Sequence, residues 1–311
     1  MGTLITIDRC PPEYSRFPRP FPKVEIITSL VMHRHFYRKI SASSLSKLLR
    51  QAFTCLKWFR HEMWHDVVPR QQSRFEKQYM RLISQDLPST LRNLCIFEDF
   101  NKLLHPKGSA THSNRSLGIA LSKSSRFLEN LSAAFLIDAQ DFFAAFWPTK
   151  QQDSATIPWS NLRTLALTSH LLYPRVARVM INKLLIAAGR AAAFMPNLEV
   201  MEIWNGGEGH ACVFQYSYNS GKPRITWSSS WGANMELDDD VLCCWSALPK
   251  HKQPWSDGLV ATVAQLPKGR KQIKTHATII PYLETRKGVL STFSDYQLFW
   301  EQYYGLKRLD I

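Results

Sequence analysis

The stretch Leu162-Arg163-Thr164-Leu165-Ala166-Leu167 decides the fold. Its apolar residues fall at the first, fourth and sixth positions, so Leu165 and Leu167 alternate like a strand with one buried face. The same phrase recurs five times. It is carried by Phe21, Val24 and Ile26; by Phe53, Leu56 and Trp58; by Leu91, Leu94 and Ile96; by Leu128, Leu131 and Ala133; and by Leu198, Met201 and Ile203. Starts at residues 21, 53, 91, 128, 162 and 198 set the fixed period that marks a stacked repeat protein.

Between the phrases the spacing turns helical. Leu45, Leu48, Leu49 and Phe53 recur at three and four residues after a serine-rich start able to cap a helix. Val176, Val179, Met180, Leu184 and Ala187 do the same, with Gly189 following. Strand then helix, repeated, predicts parallel strands with helices over one side. The expected fold is therefore an α/β solenoid. Residues 1–20 form a Pro-rich segment, 21–204 the repeats, and 205–311 a cap. In the cap, ACVFQYSY and RITWSSSW joined by NSGKP predict a hairpin. MELDDDVLCCWSALPK, with aspartates first and lysine last, predicts a helix. This part is expected to close the open end of the stack.

In each phrase the third, fifth and seventh residues should face away from the helices. On that reading Lys57, Phe59, Asn93, Phe97, Asn130, Ser132, Thr164, Thr168, Glu202 and Trp204 line an open, concave face. The set is polar, small and aromatic with little net charge, which suits a protein partner. Trp204 stands out as an interface anchor.

Composition narrows the class. The formal net charge is +14, which invites nucleic acid. The densest basic stretches, Arg34 to Lys39 and Arg70 to Arg81, are interleaved with other residues, as on a solvated face. No apolar run of about 18 residues predicts a membrane span, and no apolar signal core opens the chain. Gly2 and Thr6 fit the loose myristoylation pattern. Six cysteines, at 10, 55, 95, 212, 243 and 244, form no C-x-x-C pair. The protein is expected to be reduced and intracellular, cytoplasmic or nuclear.

Two motifs carry catalytic shapes. His61-Glu62-Met63-Trp64-His65 matches H-E-x-x-H, which on a helix would present His61 and His65 to zinc beside Glu62. The motif follows a predicted strand, where a turn is expected, and no third ligand follows at metalloprotease spacing; Glu76 comes 15 residues after His61, embedded in RQQSRFEKQY. Gly206-Gly207-Glu208-Gly209-His210 lacks the Lys-Ser/Thr of a phosphate loop and reads as a tight turn. The segment from Leu103 to Ser116, rich in Ser and Gly, reads as an exposed loop.

The phrases at Leu162–Leu167 and Leu91–Ile96 resemble leucine-rich repeats, although the Asn or Cys that follows in ordinary repeats is absent. A wider resemblance runs through RHFYRKIS (34–41), LRNLCIFEDFN (91–101), LSAAFLIDAQDFF (131–143), WSNLRTLALTSHLL (159–172), the stretch 195–216 and RITWSSSW (224–231). These are similar to a fungal, F-box-like family of unknown function. The resemblance implies no activity, cofactor or catalytic residue, and with about 20 Pro-rich residues before the first repeat the F-box itself is expected to be missing. The leading expectation is a non-enzymatic protein–protein interaction module, adaptor-like at the level of fold. The alternatives are a nucleic-acid binder using the basic first half, and a zinc hydrolase built on residues 61–65.

Overall fold

The computed structural model describes residues 21–35, 40–66, 68–100, 114–149, 157–231, 237–252 and 257–304. The Pro-rich segment with Gly2, Thr6 and Cys10, residues Phe36 to Lys39, and most of the predicted loop at 103–113 lie outside them. Arg115 and Ser116, read as part of that loop, instead open a helix capped by Asn114.

The described residues form one nine-stranded sheet with strands in sequence order. These are β1 (Ser29–Met32), β2 (Trp58–Trp64), β3 (Asn93–Asp99), β4 (Asn130–Ala134), β5 (Thr164–Thr168), β6 (Val200–Gly207), β7 (His210–Asn219), β8 (Lys222–Ser229) and β9 (Val260–Gln265). β1 to β6 are parallel. β7 and β8 run antiparallel, and β9 returns parallel to β8. The hairpin turn at Ser220 and Gly221 holds both residues at positive φ, as a two-residue turn matched to strand twist requires.

Six α-helices among the described residues pack on one face. They are α1 (Ala42–Lys47), α2 (Pro69–Arg81), α3 (Arg115–Ser124), α4 (Ala139–Phe142), α5 (Arg178–Ala192) and α6 (Asp239–Ser246). Ser41 caps α1, accepting the Ser44 N–H at 3.1 Å. Leu45, Leu121, Leu184 and Trp245 from these helices meet Leu94, Leu131, Leu165 and Met201 from the strands in one core. Leu165 is fully buried in the middle of it. Leu165→Ala is expected to lower the unfolding free energy by about 2–5 kcal/mol, measured by urea denaturation; a loss under about 0.5 kcal/mol would mean an unburied side chain.

The phrases place β3 to β6 in register. The first two units are corrected. Ile26 is 86% exposed in a turn, and the anchors of the first unit are Ile27, Leu30 and Met32. In the second, Leu56, Phe59 and His61 take the places expected of Phe53, Leu56 and Trp58. The sixth position of that unit is a histidine, which the apolar pattern cannot register.

The C-terminal part does more than close an end. β7, β8 and β9 extend the sheet. The chain then folds back across the face away from the helices, through short turns at His276–Tyr282, α7 (Arg286–Val289) and α8 (Thr292–Tyr304). Ile273, Ile279, Ile280, Leu283, Val289, Leu290 and Leu298 bury Phe97, Ala134, Ala166, Trp204 and Val213 there. A Cβ on Gly206 would stand 2.7 Å from Ile279 Cγ1, so the side chain is absent where the returning chain crosses β6.

Candidate functional site

The predicted open face is covered by the chain itself. Phe97, Ser132, Thr168, Glu202 and Trp204 do point away from the helices, and all are buried. Phe59 faces the helices instead, and Lys57 is exposed just before β2. Asn93, Asn130 and Thr164 form a half-buried ladder across β3, β4 and β5. Asn130 Nδ2 donates to Asn93 Oδ1 and Thr164 Oγ1 to Asn130 Oδ1, each at 2.6 Å. Only a gap of about 20 Å³ remains beside them, under Thr285 and Gly288, too small for a ligand. Trp204 is fully buried with Phe135 edge-on at 5.2 Å, so it is a core residue and not an exposed anchor. The physical reason is that five apolar outward side chains on adjacent strands need cover, and the segment after β9 supplies it.

Buried carboxylates fix that segment in place. Glu202 on β6 accepts the N–H groups of Glu284 (2.8 Å) and Thr285 (3.0 Å), the Thr285 hydroxyl, and Gln215 Nε2 (3.1 Å). Burial nonetheless raises its pKa. Glu62 on β2 accepts the Ser291 N–H (2.7 Å) and hydroxyl (3.1 Å), the Ser294 hydroxyl, and Arg60 Nη1 (3.2 Å). Burial pushes its carboxyl up, but the Ser294 hydroxyl, the Ser291 N–H and Arg60 outweigh it and hold the pKa low. Both carboxylates therefore stand at helix beginnings, where N–H groups are unpaired.

A second anchor is ionic. Arg34 and Asp99 are each 1% exposed. The Arg34 guanidinium pairs with Asp99 and, at 2.9 Å from both terminal nitrogens, with Glu301 of α8; it also lies 4.4 Å over the Trp64 ring. His276 Nε2 lies 3.2 Å from Asp99 Oδ1. Arg34, read as part of a basic surface stretch, is thus an interior residue. Burial would raise the Asp99 pKa, yet Arg34 and His276 bring it down to about 2. An acid with a depressed folded pKa contributes stability above its unfolded value and loses it as pH falls through the folded value. Asp99 is expected to contribute roughly 2 kcal/mol at neutral pH, fading between about pH 4 and pH 2. Glu202, raised, works in the opposite sense. Urea midpoints of wild type and Asp99→Asn against pH check this: the gap between them should close toward pH 2.

His61 to Trp64 belong to β2 and His65 directly follows it, so the motif is extended, neither helix nor the turn expected after a strand. An extended chain separates residues four apart by roughly 13 Å. His61 Nδ1 sits 3.1 Å from the Tyr79 hydroxyl on the helix side, and His65 Nδ1 sits 3.3 Å from Glu98 Oε2. Among the described residues no group of three His, Cys, Asp or Glu side chains is placed to hold a metal. In the Gly206–His210 stretch, the turn is confined to Glu208 and Gly209, between paired Gly207 and His210. Cys55, Cys95, Cys212, Cys243 and Cys244 are free thiols.

The surface the sequence reading missed is the outer side of the returning segment. Every exposed aromatic side chain among the described residues lies there: Tyr282 (50%), Phe293 (56%), Tyr296 (61%), Phe299 (51%) and Trp300 (36%). Beside them runs Lys268-Gly269-Arg270-Lys271-Gln272-Ile273-Lys274, with all four cations exposed. The signal in the sequence is the three-to-four spacing of Phe293, Tyr296, Phe299 and Trp300, which puts these aromatic residues on one face of α8. Periodicity reads such a stripe as a buried face, yet Ser294 and Leu298 on the other side are the buried residues and the aromatic stripe is exposed.

Fold and site together define a mixed α/β protein with a self-covered sheet. The chain belongs to a family of unknown function (DUF6546), whose model matches residues 86–291. That match ends one residue before α8. No curated protein and no solved structure matches the chain. No helix among the described residues is long and apolar enough to cross a membrane.

Proposed function

We propose that the protein is a non-enzymatic protein–protein interaction module, adaptor-like, on an irregular leucine-rich-repeat-like arc. Its partner docks on the outward side of the returning C-terminal segment, not on the sheet. The observation that supports this is the confinement of the exposed aromatic side chains, among the described residues, to Tyr282–Trp300. Scattered apolar residues are ordinary on a surface, whereas a contiguous aromatic set is a mark of docking. Tyr and Trp are also the side chains that most often dominate interface energy. The test is a photo-crosslinking residue placed at Phe293, with the same residue at exposed Val179 on α5 as control. A discrete protein adduct in cells at position 293 and none at 179 is expected. Equal or absent labelling at both overturns the assignment.

A second reading, nucleic-acid binding, is favoured by the helix side of the first half. Arg50, Arg70, Arg74, Lys77, Arg81, Arg115 and Lys123 are exposed there, and no Asp or Glu is exposed among the described residues of 40–128. Arg70, Arg74, Lys77 and Arg81 follow one stripe of α2 about 16 Å long. Duplex binding that weakens with salt and is lost on Arg74→Glu/Lys77→Glu would establish this reading.

A further inference from the structure

We propose that the outward cleft between residues 267–274 and α8 binds an acidic peptide segment carrying at least one large apolar side chain. This rests on the docking surface proposed above and names the chemistry of the partner. The cleft has a volume of about 760 Å³ and is lined by Lys271, Lys274, Tyr282, Arg286, Tyr296 and Phe299 among others. That size falls in the range of built ligand sites.

Its two walls differ in kind. The loop wall is cationic: Lys271 and Lys274 line the cleft and are exposed, with exposed Lys268 close by in the chain, while Arg270 lies 3.8 Å from Glu208. The helix wall is aromatic: Tyr296 and Phe299 project from α8, and α8 contains no Lys or Arg. Between them, Arg286 is held by Asp295, Nε at 2.9 Å and Nη2 at 2.6 Å from Oδ2. A partner must therefore offer negative charge along one edge and apolar surface along the other. An acidic peptide with an apolar anchor does so: carboxylates meet the loop, and the anchor enters between Tyr282, Tyr296 and Phe299. A nucleic-acid strand fits less well. Its phosphates would find cations on one wall only, and it has no side chain to fill the aromatic wall as an apolar anchor does.

The experiment is fluorescence anisotropy with a labelled peptide in which one leucine is flanked by runs of aspartate and glutamate. A peptide with asparagine and glutamine in their place and a labelled single-stranded oligonucleotide serve as comparisons. Lys271→Glu/Lys274→Glu and Tyr296→Ala/Phe299→Ala alter only exposed side chains, and an unchanged melting temperature confirms folding. The acidic peptide should bind the wild type and be weakened about tenfold or more by each double variant. Salt should weaken it in the wild type and less so in the charge-reversed variant. Equal binding of the neutral peptide, with no effect of charge reversal but a loss on Tyr296→Ala/Phe299→Ala, overturns the acidic partner and leaves the docking surface standing. Indifference to both variants overturns the surface as well. Tighter binding of the oligonucleotide, lost on charge reversal, overturns the peptide in favour of phosphate.

Discussion

Arg34→Met is expected to lower the unfolding free energy by about 3–5 kcal/mol, the cost of stranding buried charge. Arg34 is 1% exposed and its guanidinium serves two carboxylates, Asp99 of β3 and Glu301 of α8. Methionine keeps much of the apolar stem and removes the charge that both acids face. Asp99, held near a pKa of about 2 by Arg34 and His276 against the pull of burial, would rise and take up a proton. The deficit should therefore be largest at neutral pH and shrink as pH falls through the new folded value, because an acid with a raised pKa is penalised only where it must ionise. Adding Asp99→Leu should recover part of the loss, since apolar replacement of a buried pair is often neutral. Urea denaturation of the three proteins at neutral and mildly acidic pH decides it. A double variant no more stable than Arg34→Met would show that packing around Trp64, and not stranded charge, carries the effect.

Trp204→Ala should cost a similar amount, about 3–5 kcal/mol, through loss of buried surface and the cavity left behind. The side chain is fully buried between Phe135 and the returning segment. Its Nε1 has no hydrogen-bond partner among the described residues, so Trp204→Phe removes an unsatisfied donor while keeping one aromatic ring in the site. That change should cost under about 1.5 kcal/mol. Calorimetry or denaturant titration separates the two. A Trp204→Ala protein as stable as the wild type would mean that the sheet face is not covered as described.

Several parts of this fold are legible in the chain. Leu94, Leu131, Leu165 and Met201 mark β3 to β6 because one buried face imposes strict alternation, and a parallel register carries it from strand to strand. The serine cap of α1 and the Ser-Gly hairpin turn are local chemistry, read from neighbouring residues. The second strand was read three residues early because Trp58 and Phe59 offer apolar side chains to both faces. His61, in the core beside the Tyr79 hydroxyl, also breaks the pattern.

What the sequence alone determined is which residues alternate, and hence the parallel strands with helices on one side. What the tertiary structure decided is the fate of the other face. Phe97 and Trp204 carry the same local pattern whether they greet a partner or lie in a core. Their cover comes from Ile273–Leu298, in part nearly 200 residues away along the chain. Burial is a sum over long-range contacts, and periodicity records only which side of its own strand a residue occupies.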